Sequence, residues 1–129
     1  MRIVAGKLKG KNLKLLNKTN IRPLKDRARE GIFNILSHSK KISFDFKNSN
    51  ILDLFSGTGS FGLECISRGA KKVYFFENYH PSLEILQKNI KKLKCEKKTK
   101  IFNENAYNFF DNKELKNEKL DLIFLDPPY

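Results

Sequence analysis

The 129 residues predict an α/β fold built on a parallel sheet, with a basic hairpin and a helix placed ahead of it. Three observations lead there. Four short apolar runs, at 51–55, 72–76, 99–103 and 120–125, alternate with stretches of helical period. The connection after the first run carries Gly57-x-Gly59-x-x-Gly62 in a strand–turn–helix context. Charge is also segregated: residues 1–41 hold 12 Lys/Arg against 2 acids, whereas 42–129 hold 14 against 12.

Residues 2–5 and 12–16 are short strand candidates around a Gly6–Gly10 turn, with Lys7, Lys9, Lys11 and Lys14 spread along them. Such a basic arm suits a polyanion, most plausibly nucleic acid, and equally suits a solvated edge that lysines protect from aggregation. A helix is expected over 25–37, with Ala28, Ile32, Ile35 and Leu36 on one face and Phe33 at its margin. Arg22, Lys25 and Arg29 extend the set of candidate phosphate contacts. Residues 38–49 read as the link between an N-terminal unit, 1–41, and the main domain, 42–129.

From residue 51 the alternation is regular. A helix is expected over 60–68 with Gly69 closing it, and a second begins near Pro81, a favoured first helical residue. Leu83, Leu86, Ile90 and Leu93 give that second helix its apolar stripe, while Lys88, Lys91, Lys92 and Lys94 read as solvated surface. After the third run comes a short helical stretch, 106–111, then a polar link, 112–119, and the fourth run. Strands and helices at this spacing imply right-handed βαβ units. The fourth run is apolar enough to be buried on both faces.

The glycine turn carries the chemistry. Gly57 permits a tight turn, Gly59 lets a ligand approach bare backbone, and Gly62 lets the helix pack close to the strand. Asp53 stands among large apolar residues four positions earlier, and Glu77 ends the second run. An acid at Glu77 suits a ribose under either a dinucleotide or a nucleoside reading. A carboxylate at Asp53 is a poor neighbour for pyrophosphate and a good one for a cation, which favours S-adenosylmethionine over NAD. Asn105, past the third run, suits an adenine edge or a helix cap.

Composition narrows the classes. Cys65 and Cys95 form no ligand spacing and His38 and His80 are the only histidines, which argues against a zinc site, a metal centre or a His-based triad. No apolar run reaches membrane-span length and the N-terminus lacks a signal-peptide core, so a cytoplasmic protein is expected.

The chain closes on Asp126-Pro127-Pro128-Tyr129, directly after the fourth run. Asp126 and the Pro127 carbonyl can each accept a hydrogen bond from an exocyclic amine and so aim its lone pair. Pro127 and Pro128 stiffen the turn, and Tyr129 offers a stacking face for an extruded base.

DLFSGTG with DPPY resembles the amino-methylating class I S-adenosylmethionine-dependent methyltransferases. RIVAGKLKGK, RPLKDRAREGIFNIL and LDLFSGTGSFGLECISRGAKKV narrow this to the bacterial 16S rRNA guanine-N2 methyltransferase family, the RsmD type. The resemblance implies a Rossmann-like fold and methylation of a guanine amino group in small-subunit rRNA, within an assembling ribosomal particle. By position it implies cofactor contacts from Asp53, Gly57, Gly59, Glu77 and Asn105, with the adjoining Phe55 and Ala106, and base contacts from Asp126 to Tyr129. The family commonly has aspartate where this chain has Asn105. Its sheet has seven strands, of which four are legible here. The chain is therefore expected to be C-terminally incomplete and prone to self-association, the full-length protein being a monomer. Adenine-N6 methylation shares the DPPY chemistry and stays open, as does a non-catalytic RNA-binding fragment. An NAD(P)-dependent oxidoreductase is disfavoured by Asp53.

Overall fold

The computed structural model describes residues 1–16 and 23–128, with side chains for all of these except 23–26. In chain order the elements are α1 (Pro23–His38), β1 (Asn50–Asp53), α2 (Ser60–Ser67), β2 (Lys72–Phe76), α3 (His80–Lys92), β3 (Thr99–Phe102), α4 (Lys113–Lys116) and β4 (Leu122–Phe124). Short 3-10 turns span Glu96–Lys98 and Ala106–Asp111. The sheet is parallel with order β3-β2-β1-β4. The chain winds outward from β1 to β3, then returns to set β4 on the other side of β1. That reversal opens a crevice at the carboxyl ends of β1 and β4, where open α/β sheets bind ligands.

Alternation along the strands divides the core. Ile51, Val73 and Phe75 pack with Leu63, Leu86 and Ile90 on the side of α2 and α3. Leu52, Leu54, Tyr74, Phe76 and Phe102 pack with Ala106 and Leu115 on the other. Each large side chain so buried contributes roughly 1.5–3 kcal/mol relative to exposure. Gly62 lets α2 lie against β2, because a Cβ there would come within 2.2 Å of the Phe75 ring. The expected α3 stripe of Leu83, Leu86, Ile90 and Leu93 is buried throughout.

Four expectations change. In α1 the buried centre is Phe33, while Ile35 is 54% exposed and Ala28 is exposed too. Phe33 stacks on Phe61 at 4.8 Å and carries the Arg68 guanidinium 4.5 Å above its ring, so the largest side chain orients the helix. The arm forms one antiparallel bridge, Arg2 with Asn12, in place of two strands. Its two sides are joined by Ile3 N–H to the Lys11 carbonyl and Leu13 N–H to the Met1 carbonyl, while Val4 and Ala5 donate to the Glu64 carboxylate and Lys14 exchanges two hydrogen bonds with Asn89. The polar link contains α4, capped by Asn112 Oδ1 accepting from Leu115 N–H at 3.1 Å. With one apolar residue in four, that helix has no period to read. Finally, β4 pairs only with β1 among the described strands, leaving Ile123 44% and Leu125 62% exposed. Strand composition alone suggests burial on both faces.

Candidate functional site

The strand ends converge on the glycine turn. Asp53 is the last residue of β1 and lies in register with Phe124 of β4, and Leu54 N–H donates to the Phe124 carbonyl at 3.2 Å. This pairing brings Asp126, Pro127 and Pro128, all exposed, to the crevice beside β1. Ser56 ties the turn to β2, its N–H and Oγ both donating to the Phe76 carbonyl. Tyr129 and Arg22 lie outside the described residues, as does the side chain of Lys25.

Asp53 is 1% exposed, and neither carboxylate oxygen has a hydrogen-bond partner among the described residues. Burial pushes its pKa up from 3.8 to about 7; the Gly62 N–H, near the carboxylate but outside hydrogen-bond geometry, lowers it in part, and the Asp126 and Glu77 carboxylates raise it further. One buried acid thus lies within reach of two further carboxylates, half-buried Glu77 and exposed Asp126. Such a place favours a cation and repels a phosphate.

Glu77 is the organiser of the turn. Its Oε2 accepts from Gly57 N–H at 2.7 Å and its Oε1 from Tyr79 N–H at 2.8 Å. One carboxylate therefore fixes both the glycine loop and the start of α3. Gly57, at φ +55°, faces open space. At Gly59, with φ +88°, a Cβ would meet Leu86 Cδ1 at 2.3 Å. Its missing side chain makes room for α3.

Asn105 is an N-cap. Its Oδ1 accepts from Tyr107 N–H at 2.9 Å and starts the 3-10 turn that buries Ala106. Phe55 meets Tyr107 edge-on with centroids 6.4 Å apart, closing the rim on the β3 side. Lys7, Lys9 and Lys11 are exposed on the hairpin. Arg29 is partly covered, with Nη1 buried and without a hydrogen-bond partner among the described residues, so it is not a free surface cation.

Sequence reasoning passed over three residues that hold this arrangement. Asn89 is 0% exposed; its Nδ2 donates to the carbonyls of Lys14 and of Thr58 in the glycine turn, both at 3.0 Å. Glu64 and Ser67 on α2 bind the arm backbone between Val4 and Leu8. The signal was available, because a polar residue inside an apolar stripe is what singled out Asp53. Among the described residues no group of three or more His, Cys, Asp or Glu could hold a metal ion, and no helix is long and apolar enough to cross a membrane.

Comparison with known proteins follows the same lines. Ribosomal RNA small subunit methyltransferase D of Haemophilus influenzae is 37% identical over 131 residues, a match that covers all of this chain and 64% of that protein. The protein of that name from Escherichia coli K12 is 31% identical, again over the whole chain and 60% of the relative. This chain therefore spans about three-fifths of the length of these relatives. The solved structure of the yhhF protein of Escherichia coli superposes with a TM-score of 0.79 at 30% identity, over 100% of this chain and 64% of that one. The four parallel strands and their helices are thus the Rossmann-like fold of class I methyltransferases. The family model described as conserved hypothetical protein 95 matches residues 1–129, and the chain belongs to that family.

Proposed function

We propose that this chain is the cofactor-binding and catalytic part of an S-adenosylmethionine-dependent enzyme that methylates the exocyclic N2 amino group of a guanine in small-subunit rRNA. One observation carries the reading: Asp53, a buried carboxylate without a partner, lies beneath a glycine turn beside the Asp126-Pro127-Pro128 loop. A cation completes such a site where a pyrophosphate would not. Asp53 would face the charged amino-acid end of the cofactor, Glu77 the ribose, and Asn105 with Ala106 and Phe55 the adenine. The cofactor supplies an electrophilic methyl group. Everything else is positioning.

Asp126 and the Pro127 carbonyl accept hydrogen bonds from the two N–H groups of the target amine, drawing the nitrogen lone pair out of conjugation. Pro127 and Pro128 hold that carbonyl inward, and Tyr129 stacks on the extruded base. The exposed hairpin lysines, Lys7, Lys9 and Lys11, bind RNA phosphates and steer the substrate, rRNA in an assembling particle.

Two measurements test this on the intact protein. Calorimetry should show binding of S-adenosylmethionine or its demethylated product and none of NAD; tighter binding of NAD overturns the cofactor. Asp126→Ala should lower methyl transfer to small-subunit rRNA by about 10²–10³ with cofactor affinity preserved. Mass analysis of the product nucleoside decides the base: methyladenosine in place of N2-methylguanosine overturns the guanine assignment.

A further inference from the structure

The hairpin and α3 are far apart in sequence and adjacent in space. Lys92 Nζ donates to the Asn12 carbonyl at 3.0 Å, and one turn earlier Asn89 exchanges two hydrogen bonds with Lys14. Residues 1–16 and 80–98 together hold eleven of the 26 Lys/Arg and only two of the 14 acids, Glu84 and Glu96. Nine of the twelve net positive charges therefore lie in two segments that the fold joins. Lys88 and Lys91 are exposed on the outward side of α3, one turn from each other and beside the seam. Glu84, the acid nearest on that side, is 3.6 Å from His80 at the start of the helix.

We propose that the hairpin and the outward side of α3 form one phosphate-binding track for RNA, in which Lys88 and Lys91 contact the backbone together with Lys7, Lys9, Lys11 and Lys14. The inference rests on the RNA-methylating reading above and adds residues to it that sequence alone assigns to plain solvated surface. Helix periodicity explains why lysines face outward on α3. It does not explain why the chain's other lysine-rich segment is stitched alongside them. The track binds phosphates and so should not read sequence.

The test is Lys88→Gln with Lys91→Gln in the intact protein, using a 16S rRNA transcript as probe. Neither side chain is buried, so the melting temperature should not move. The slope of log Kobs against log salt should become shallower by about 1.4 if both contacts are to single strands and about 1.8 if both are to duplex. Lys113→Gln with Lys116→Gln, on α4 against the opposite layer of the core, should leave the slope unchanged. An unchanged slope in the α3 pair, or an equal loss in both pairs, overturns the track; if wild-type methyl transfer to RNA persists, the enzymatic reading stands. Failure of the intact wild-type protein to bind the transcript in a salt-dependent way overturns both.

Discussion

Asp53 and Glu64 are both carboxylates, both 1% exposed, and eleven residues apart, but the fold treats them in opposite ways. Glu64, at the seam between α2 and the N-terminal arm, accepts from Val4 N–H, Ala5 N–H and the Arg68 guanidinium, each within 3.1 Å. Asp53, at the strand-end rim, has no hydrogen-bond partner for either oxygen among the described residues. A buried charge is tolerable when it is paired and costly when it is not. The seam is therefore built for stability. At the rim, a buried carboxylate stands without that pairing, at a cost in stability. Unpaired buried groups concentrated at functional sites are a general pattern.

The largest expected effect breaks the seam. Glu64→Ala removes three acceptor contacts at once and leaves Arg68, which is mostly buried, without its carboxylate. A loss of about 3–5 kcal/mol is expected, read as a lower denaturant midpoint. Equal stability of the variant and wild type would remove the distinction between the two acids.

The next sharpens the rim. With Asp53 raised from 3.8 to about 7, the folded cofactor-free protein keeps a proton that the unfolded chain gives up between those values. The folded state then binds more protons, so stability is fully present below about pH 4, falls as pH rises towards 7 and levels off above it. The accumulated cost is on the order of 4 kcal/mol. Asp53→Asn should flatten this slope and raise the melting temperature at about pH 8, while weakening S-adenosylmethionine binding. Thermal melts across that range, with and without cofactor, check both halves. A parallel pH profile in wild type and variant would show that Asp53 is not the titrating group.

A smaller effect is expected where the two regions resemble each other. Glu77 is satisfied like Glu64, by two backbone N–H groups, but it sits on the rim. Glu77→Gln keeps one acceptor oxygen and loses the charge-assisted bond to the turn, so cofactor affinity should fall about tenfold with little change in melting temperature. A loss of stability without a loss of affinity would assign Glu77 to the scaffold.

Much of this was legible in the chain. Strand–helix alternation, the glycine turn, Glu77 and the acid inside the first apolar run are local patterns, and local patterns suffice to fix a βαβ series and its rim. Hydrophobic period also gave the buried side of α3 correctly. It failed in α1, because it weights Ile35 and Phe33 alike, whereas packing favours the ring that can stack on Phe61. It could not give Gly59 its true neighbour either, since Leu86 arrives from an element 27 positions away.

Residue type and spacing within short spans were enough for the fold class, and they singled out the acids and glycines that the fold gathers at one strand-end rim. Tertiary structure alone decided which buried polar residues are partnered. Asp53 and Glu64 look alike in sequence, each an acid in an apolar run. Their difference comes from what crosses them: the arm backbone reaches Glu64 across about 60 residues, and Asn89 joins the arm to the glycine turn across 75 and 31. Partners at such separations are set by how the layers dock, and no local propensity carries that information.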